Sequence, residues 1–209
     1  MTRSSDTKSH AAEQRASRAP RAHGKHVGSR IPATDGMIRL SRCAVVCVDQ
    51  VESTHRLEEL GAEAGFAEQH GLWRTMASGS RLFGGQVCGW RGDGAIVRFR
   101  DISAAITAAH HLVASAANVP RPVGTRPMTM RASVSVGSVL LDDHGNIYGR
   151  ALVVAVRLNE VARPNRILAC ADVAGDRKAQ HAFVFRRAED VPIRGLGRVI
   201  EAAEVVCPR

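Results

Sequence analysis

The chain has 209 residues, of which 44% are apolar and only 4% aromatic, and it carries a formal charge of +9. That composition suits one ordinary domain with a core of Val, Leu, Ile and Ala, plus a tail. No apolar run approaches the roughly 18 residues of a bilayer span. No apolar segment follows the N-terminal charges, so a secretory signal is not expected and a cytoplasmic location is.

Residues 1–37 hold almost no large apolar side chains and are expected to be a disordered basic tail. The folded part, 38–209, starts near Ile38. "RCAVVCVDQ" (42–50) reads as a buried strand ending in Asp49. "VESTHRLEELGAEAG" then turns helical, with Ser53 and Thr54 placed to cap it. A second helical stretch spans 67–83, with apolar positions at Leu72, Met76 and Leu82, and stops at Gly84-Gly85. "QVCGW" and "AIVRF" flank Arg-Gly-Asp-Gly and read as a hairpin with Asp93 at its tip. A helix follows over 101–118, capped by Asp101 or Ser103, with Ile102, Ile106, Ala109 and Val113 in a stripe. "MTMRASVSVGSVLL" (128–141) alternates as a strand with a kink or close approach at Gly137. "RALVVAVRLNEVARP" (150–164) reads as a buried helix, "RILAC" as a strand, "ADVAGDRKAQ" as a short helix, and "AFVFRR" and "GRVIEAAEVV" as late strands. This order implies an α+β fold, a mixed sheet with helices packed on one face.

The five cysteines, Cys43, Cys47, Cys88, Cys170 and Cys207, are scattered and include no C-x-x-C pair. They read as small buried hydrophobes, not as zinc ligands or a disulfide framework. The positive charge raises nucleic acid as a partner. No helix-turn-helix, zinc-finger or aromatic RNA-binding pattern accompanies it, so nucleic acid is not expected as the main partner. A basic surface, including arginines such as Arg121 and Arg126, also suits a polyanionic small molecule.

Asp93 has two readings. Asp serves turns through local hydrogen bonds, or it is held at the tip to bind a cation. A second carboxylate separates them. If the hairpin pairs beside the first strand, Asp49 and Asp93 emerge at one edge of the sheet. Two hard oxygen ligands beside helix-start amides suit Mg²⁺ or Mn²⁺ on a triphosphate.

In these pieces the chain resembles the catalytic domain of the class III nucleotidyl (adenylate/guanylate) cyclases, over about residues 40–206. "VVCVDQVEST" resembles the family's metal-binding strand and turn, and "GGQVCGWRGDGAIVRF" its hairpin with the second metal Asp. "DISAAITAAHHL", "MRASVSVGSVL", "IYGRALVVAVRLNEVARPNRILAC" and "IRGLGRVIEAAEV" follow in the family's order. The resemblance implies a ferredoxin-like-derived sheet and a head-to-tail homodimer with shared sites. It implies two metal ions at Asp49, Gln50 and Asp93, and Arg157 from the partner chain acting on phosphate charge. The substrate would meet Ser53, Thr54, Gly89, Trp90, Asn146 and Val153. The reaction implied is attack of a ribose 3′-hydroxyl on the α-phosphate, with ATP as the default substrate. Read without the family, Arg157 caps its helix or pairs with Glu160, and Trp90 is a core residue or a base-stacking one.

Four positions depart from the family pattern. Val153 replaces the ribose-orienting Asn, and Gly89 replaces the purine-selecting Lys. Asn146 stands for the usual Asp, and Glu52 for the glycine of D-x-x-G-S-T. Losing one oxyanion-type donor slows chemistry by about 10- to 1,000-fold. The alternative is therefore a catalytically weak or inactive domain that binds nucleotide or a partner chain.

Overall fold

The spine of the molecule is a strand buried on both faces. In the computed structural model, which describes residues 30–33, 36–193 and 198–208, β1 (Arg30–Ala33) pairs antiparallel with β2 (Gly36–Gln50). Ala44, Val46 and Val48 of β2 face one side, and Cys43, Val45 and Cys47 the other, all buried. The β-branched run suits such a doubly covered central strand. The expected start near Ile38 falls inside β2, and Arg30–Ala33, placed in the tail by composition, pair with it. Gly36 and Met37 belong to β2, and the rest of that tail, residues 1–29 and 34–35, lies outside the described residues.

α1 (Ser53–Leu82) follows, then β3 (Gln86–Arg91), β4 (Gly94–Phe99), α2 (Ile102–Ser115), β5 (Met130–Leu141) and β6 (Ile147–Tyr148). α3 (Arg150–Val161), β7 (Ile167–Cys170), α4 (Ala171–Ala174), α5 (Arg177–Ala182) and β8 (Phe183–Arg187) come next. The chain closes with β9 (Val191–Ile193), β10 (Arg198–Ile200) and β11 (Ala202–Pro208). Part of the expected closing segment, 194–197, lies outside the described residues. The main sheet runs β3-β4-β2-β5-β7-β11-β8, and β5–β7 is its parallel pair. The α+β mixed sheet stands, with one refinement of its layers. α1 and α2 pack on the Ala44–Val46–Val48 face, whereas α3 covers the opposite face through Ala151 and Ala155.

The two helical stretches merge into α1 across a kink at Gly61, whose φ of 74° and ψ of 170° leave the helical region. Leu72 and Met76 are buried, but Leu82 is exposed. Asp101 caps α2, its carboxylate accepting from the Ala104 N–H at 2.8 Å. Ser53 and Thr54 do not cap α1. Glu52 is its N-cap, with no side-chain capping bond, and Ser53 is already helical. Tertiary bonds set this turn: the Gln50 N–H donates to the Asp93 carbonyl and the Val51 N–H to the Thr129 carbonyl. At Gly137, α3 approaches β5 closely, since an added Cβ would lie 3.3 Å from that of Ala151. Ser133 and Ser135, buried beneath α3, donate to the Ala155 and Ala151 carbonyls at 2.6 and 2.5 Å. Among the described cysteines Cys43, Cys47 and Cys170 are buried, Cys88 is half-buried, and all four are free thiols. The side chain of Cys207 lies outside the described residues.

Candidate active site

Asp49, the last residue but one of β2, lies directly opposite Gly94 of β4 on one side and Arg131 of β5 on the other. The hairpin tip therefore delivers Asp93 to the same rim, as the antiparallel pairing requires. The two carboxyl groups are within hydrogen-bonding reach of each other. Burial, then the hydrogen bond to Asp93 and its charge, push Asp49 up to about 6, against the opposing pull of Arg131. Close approach explains the glycine after Asp93. A Cβ at Gly94 would lie 2.8 Å from Asp49 Oδ1 and 2.5 Å from the Val48 carbonyl oxygen.

Arg131 is the residue that the sequence reading missed. Its Nη2 donates to Asp49 Oδ2 at 3.1 Å and its Nη1 to the Glu160 carbonyl at 3.2 Å. The alternation of "MRASVSV" places it on the Ser133–Ser135 face. Only the β2–β5 register places it against Asp49. Arg131 thus offsets part of the negative charge that Asp49 and Asp93 bring to the rim. Two carboxylates at a strand end are hard oxygen ligands of the kind a divalent cation takes. Among the described residues no group of three or more His, Cys, Asp or Glu gathers as a metal cage. Any ion here would thus depend on substrate oxygens and water, as Mg²⁺ commonly does.

Gln50 is buried beside this rim. Ser53 and Thr54 start α1 and line a cleft of about 510 Å³ with Gln50, Gly92, Asp93 and Met128. Trp73 fixes the hairpin tip by donating from its indole N–H to the Gly92 carbonyl at 2.9 Å. Trp90 is not core: it is 47% exposed and tilted against Trp73, ring centroids 6.1 Å apart. Space around the missing Gly89 Cβ is open to 4 Å, so nothing stands in place of a longer side chain there. Asn146 is tied into its own turn. Its side-chain amide donates to Asp142 Oδ2 and its N–H to Oδ1, both at 2.8 Å. One amide hydrogen and the carbonyl oxygen remain to meet a ligand.

Val153 is 41% exposed on α3, one turn before Arg157. Arg157 pairs with Glu160 at 2.8–2.9 Å and with neither rim carboxylate of its own chain. The i,i+3 pairing thus exists, and both partners are well exposed. Such a pair contributes about 0–1 kcal/mol, so it yields readily to a stronger anion.

Glu52 has a φ of 57°, which explains why a glycine suits this turn. Its carboxylate pairs with Arg126, 3.1 Å from Nη1. The left-handed backbone costs roughly 1–2 kcal/mol for a non-glycine residue, more than an exposed ion pair returns. Glu52→Gly should therefore raise the melting temperature by about 2–4 °C, the shift expected for ~1 kcal/mol in a domain this size. An unchanged or lowered melting temperature would show that the Arg126 contact outweighs the strain.

No protein-family model matches the chain, and no curated protein matches it either. Solved structures do. The adenylyl cyclase CyaB from P. aeruginosa superposes with a TM-score of 0.75 at 21% identity, covering 82% of this chain and 97% of that one. The chain has the class III nucleotidyl cyclase fold. An adenylate/guanylate cyclase/hydrolase from Silicibacter pomeroyi gives a TM-score of 0.67 at 22% identity, covering 81% and 99%. The catalytic core of a rhodopsin-guanylyl cyclase with converted specificity, in complex with ATPalphaS, gives 0.73 at 13% identity, covering 82% and 99%. In the cyclase fold of this chain, the rim of Asp49 and Asp93 lies at the ends of the central strands, beside the start of α1. Among the described residues no helix is long and apolar enough to cross a membrane.

Proposed function

We propose that this protein is a nucleotidyl cyclase that converts a nucleoside triphosphate, ATP by default, into a 3′,5′-cyclic nucleotide and pyrophosphate. The observation that carries the reading is the meeting of Asp49 and Asp93 on one rim of a cyclase fold, with the first turn of α1 beside them. Asp49 and Asp93, with Gln50 adjacent, would hold two Mg²⁺ or Mn²⁺ ions. Bound there, the ions supply activation of the ribose 3′-hydroxyl and stabilisation of the leaving pyrophosphate. The 3′-oxygen bonds to the α-phosphorus, the bond to pyrophosphate breaks, and the hydroxyl proton leaves to solvent. The chain itself contributes position and charge, with no covalent intermediate. Ser53 and Thr54 would meet the phosphates. Arg131, freed from Asp49 by a cation, would face them too.

The reading includes a homodimer, in which Arg157 of the second chain leaves Glu160 for the phosphates of the first. The base would lie among Gly89, Trp90 and Asn146. With open space at Gly89 and a partly committed Asn146, purine selection should be loose. Val153 offers no hydrogen bond to the ribose, so turnover should be slow. A domain that binds nucleotide without product is the alternative that Val153 favours. Incubation with Mn²⁺ and each of the four nucleoside triphosphates, followed by mass detection of cyclic products, tests the proposal. Tight binding with no product from any of them would sink it.

Ion binding has a check independent of turnover. A proton on Asp49 competes with the cation, so Mn²⁺ should raise the melting temperature at pH 7.5 and do so far less at pH 5. The metal-free protein should behave in the opposite sense. Because the folded-state value of Asp49 is raised from 3.8 to about 6, its stabilising contribution is full below the unfolded value and is lost as pH rises through about 6. Asp93→Asn relieves the clash of charge. It should stabilise the metal-free protein at pH 7.5, a gain that shrinks towards pH 4, and it should abolish the Mn²⁺ effect. Melting curves at the three pH values, with and without Mn²⁺, check all of this. A Mn²⁺ shift that is equal at pH 5 and 7.5, or that survives Asp93→Asn, would place the ion elsewhere.

A further inference from the structure

A second cluster of charge lies at the same β2–α1 turn, beside the Asp93 cleft, with which its own cleft shares Gln50, Arg56 and Met128. A cleft of about 120 Å³ opens there, lined by Gln50, Glu52, Arg56, Arg126, Met128 and Pro164 among others. It is well below the roughly 300–1,000 Å³ of pockets that enclose whole small molecules. It holds about four waters' worth of volume, which suits a single phosphate group. Arg56 is 5% exposed and is fixed by Glu68, which accepts from Nε at 2.8 Å and from Nη2 at 2.6 Å. Nη2 also reaches the Thr125 hydroxyl at 3.3 Å. Its Nη1 is buried and, among the described residues, has no hydrogen-bond partner. A guanidinium donor left without an acceptor is costly and calls for an anionic oxygen.

Arg126 converges on the same place. Glu59 Oε2 stands 3.8 Å from Arg56 Nη1 and 3.9 Å from Arg126 Nε, too far to hydrogen-bond either. Arg126 is instead engaged by Glu52 at 3.1 Å, and both side chains are at least half exposed. The cluster therefore sets two guanidiniums against three carboxylates, Glu52, Glu59 and Glu68. Glu68 is committed to Arg56. Glu52, at the surface, is free to swing into water at a cost of about 1 kcal/mol or less.

We propose that this cleft is a phosphate subsite and that Glu52 is its built-in competitor: Arg126 exchanges the Glu52 carboxylate for a phosphate group of the substrate, and Arg56 receives the same group on its unpaired donor. Resting on the cyclase reading, the group is the terminal phosphate of the triphosphate, which then departs within pyrophosphate. Arg126 and Arg56 are substrate-positioning residues, and Glu52 sets the affinity at which they act. The α1 N-terminus adds backbone N–H groups of the right polarity beside them.

Calorimetric titration of the full chain with Mn²⁺ tests this. The two probes are inorganic pyrophosphate and a 3′-deoxy nucleoside triphosphate, which cannot cyclise. Glu52→Gln should tighten both about two- to fivefold, the size of one surface charge contact. Arg126→Ala should weaken both about tenfold, with part recovered in Arg126→Lys. In the Arg126→Ala background, Glu52→Gln should change affinity less than twofold, because no guanidinium is left to release. Unchanged affinity in Glu52→Gln overturns the proposal. So does a gain that persists without Arg126, which would mean simple repulsion, and so does a pattern seen with the triphosphate but not with pyrophosphate. The affinity pattern without any cyclic product would reject the cyclase and keep the subsite. Product without the pattern would do the reverse.

Discussion

Asp93→Asn should lower cyclic-nucleotide formation by about a thousandfold or more while leaving the fold intact. The substitution keeps the size and shape of the side chain and removes one negative charge. On the proposed mechanism, what is lost is one of two hard ligands for cations that would supply several kcal/mol of transition-state stabilisation. Each 1.36 kcal/mol is tenfold in rate, so ~4 kcal/mol gives the thousandfold figure. Asp49→Asn should cost as much, with an added difference. Asp49 also accepts from Arg131, so its loss frees that guanidinium from its carboxylate. The two variants should therefore diverge in stability although they agree in activity. Asp93→Asn gains melting temperature at neutral pH and Asp49→Asn gains less or none. Mass-detected product from saturating triphosphate and Mn²⁺ is the measurement. Activity within tenfold of the parent in either variant would remove the two-carboxylate mechanism.

The second large effect concerns assembly. Asp93→Ala and Arg157→Ala should each be nearly inactive alone, yet a mixture should recover about a quarter of the parental activity under free subunit exchange, the share expected for a two-fold dimer with sites built across its interface. The arithmetic is statistical. Half of the dimers are hybrids, and in each hybrid one site keeps both carboxylates and the arginine while the other lacks Asp93 and Arg157 together. The resemblance to the cyclases is what assigns Arg157 to the partner's site in this proposal; within one chain it touches Glu160 and neither rim carboxylate. Hybrids shown to form by mass yet giving no recovery would place Arg157 outside the shared site. Glu160→Gln supplies a control. It opens the Arg157 pair without removing the guanidinium, so it should leave recovery intact.

The local pattern of the chain was enough for the elements that face a core on one or both sides. The β-branched run of β2, the Arg-Gly-Asp-Gly hairpin, the Asp101 cap and the alternation of β5 are each properties of fewer than 15 neighbouring residues, and hydrophobic period and turn chemistry act at that range. The same pattern placed Asp49 at a strand end and Asp93 at a tip. That they meet follows from antiparallel pairing of neighbouring strands, a short inference from local signals. Register and packing decided the rest. Arg131 reads as one more arginine in a strand until the β2–β5 pairing sets it opposite Asp49. Ser53 and Thr54 look like caps until bonds from Gln50 and Val51 to distant carbonyls pull the turn one residue earlier, onto Glu52. Arg56, Glu59, Glu68 and Arg126 form one charge cluster although they lie up to 70 residues apart, and no periodicity in the sequence relates them. Side-chain chemistry is written locally, but the distance between two charges is set by how the sheet and the α1 kink close on each other. Only the tertiary structure contains that information.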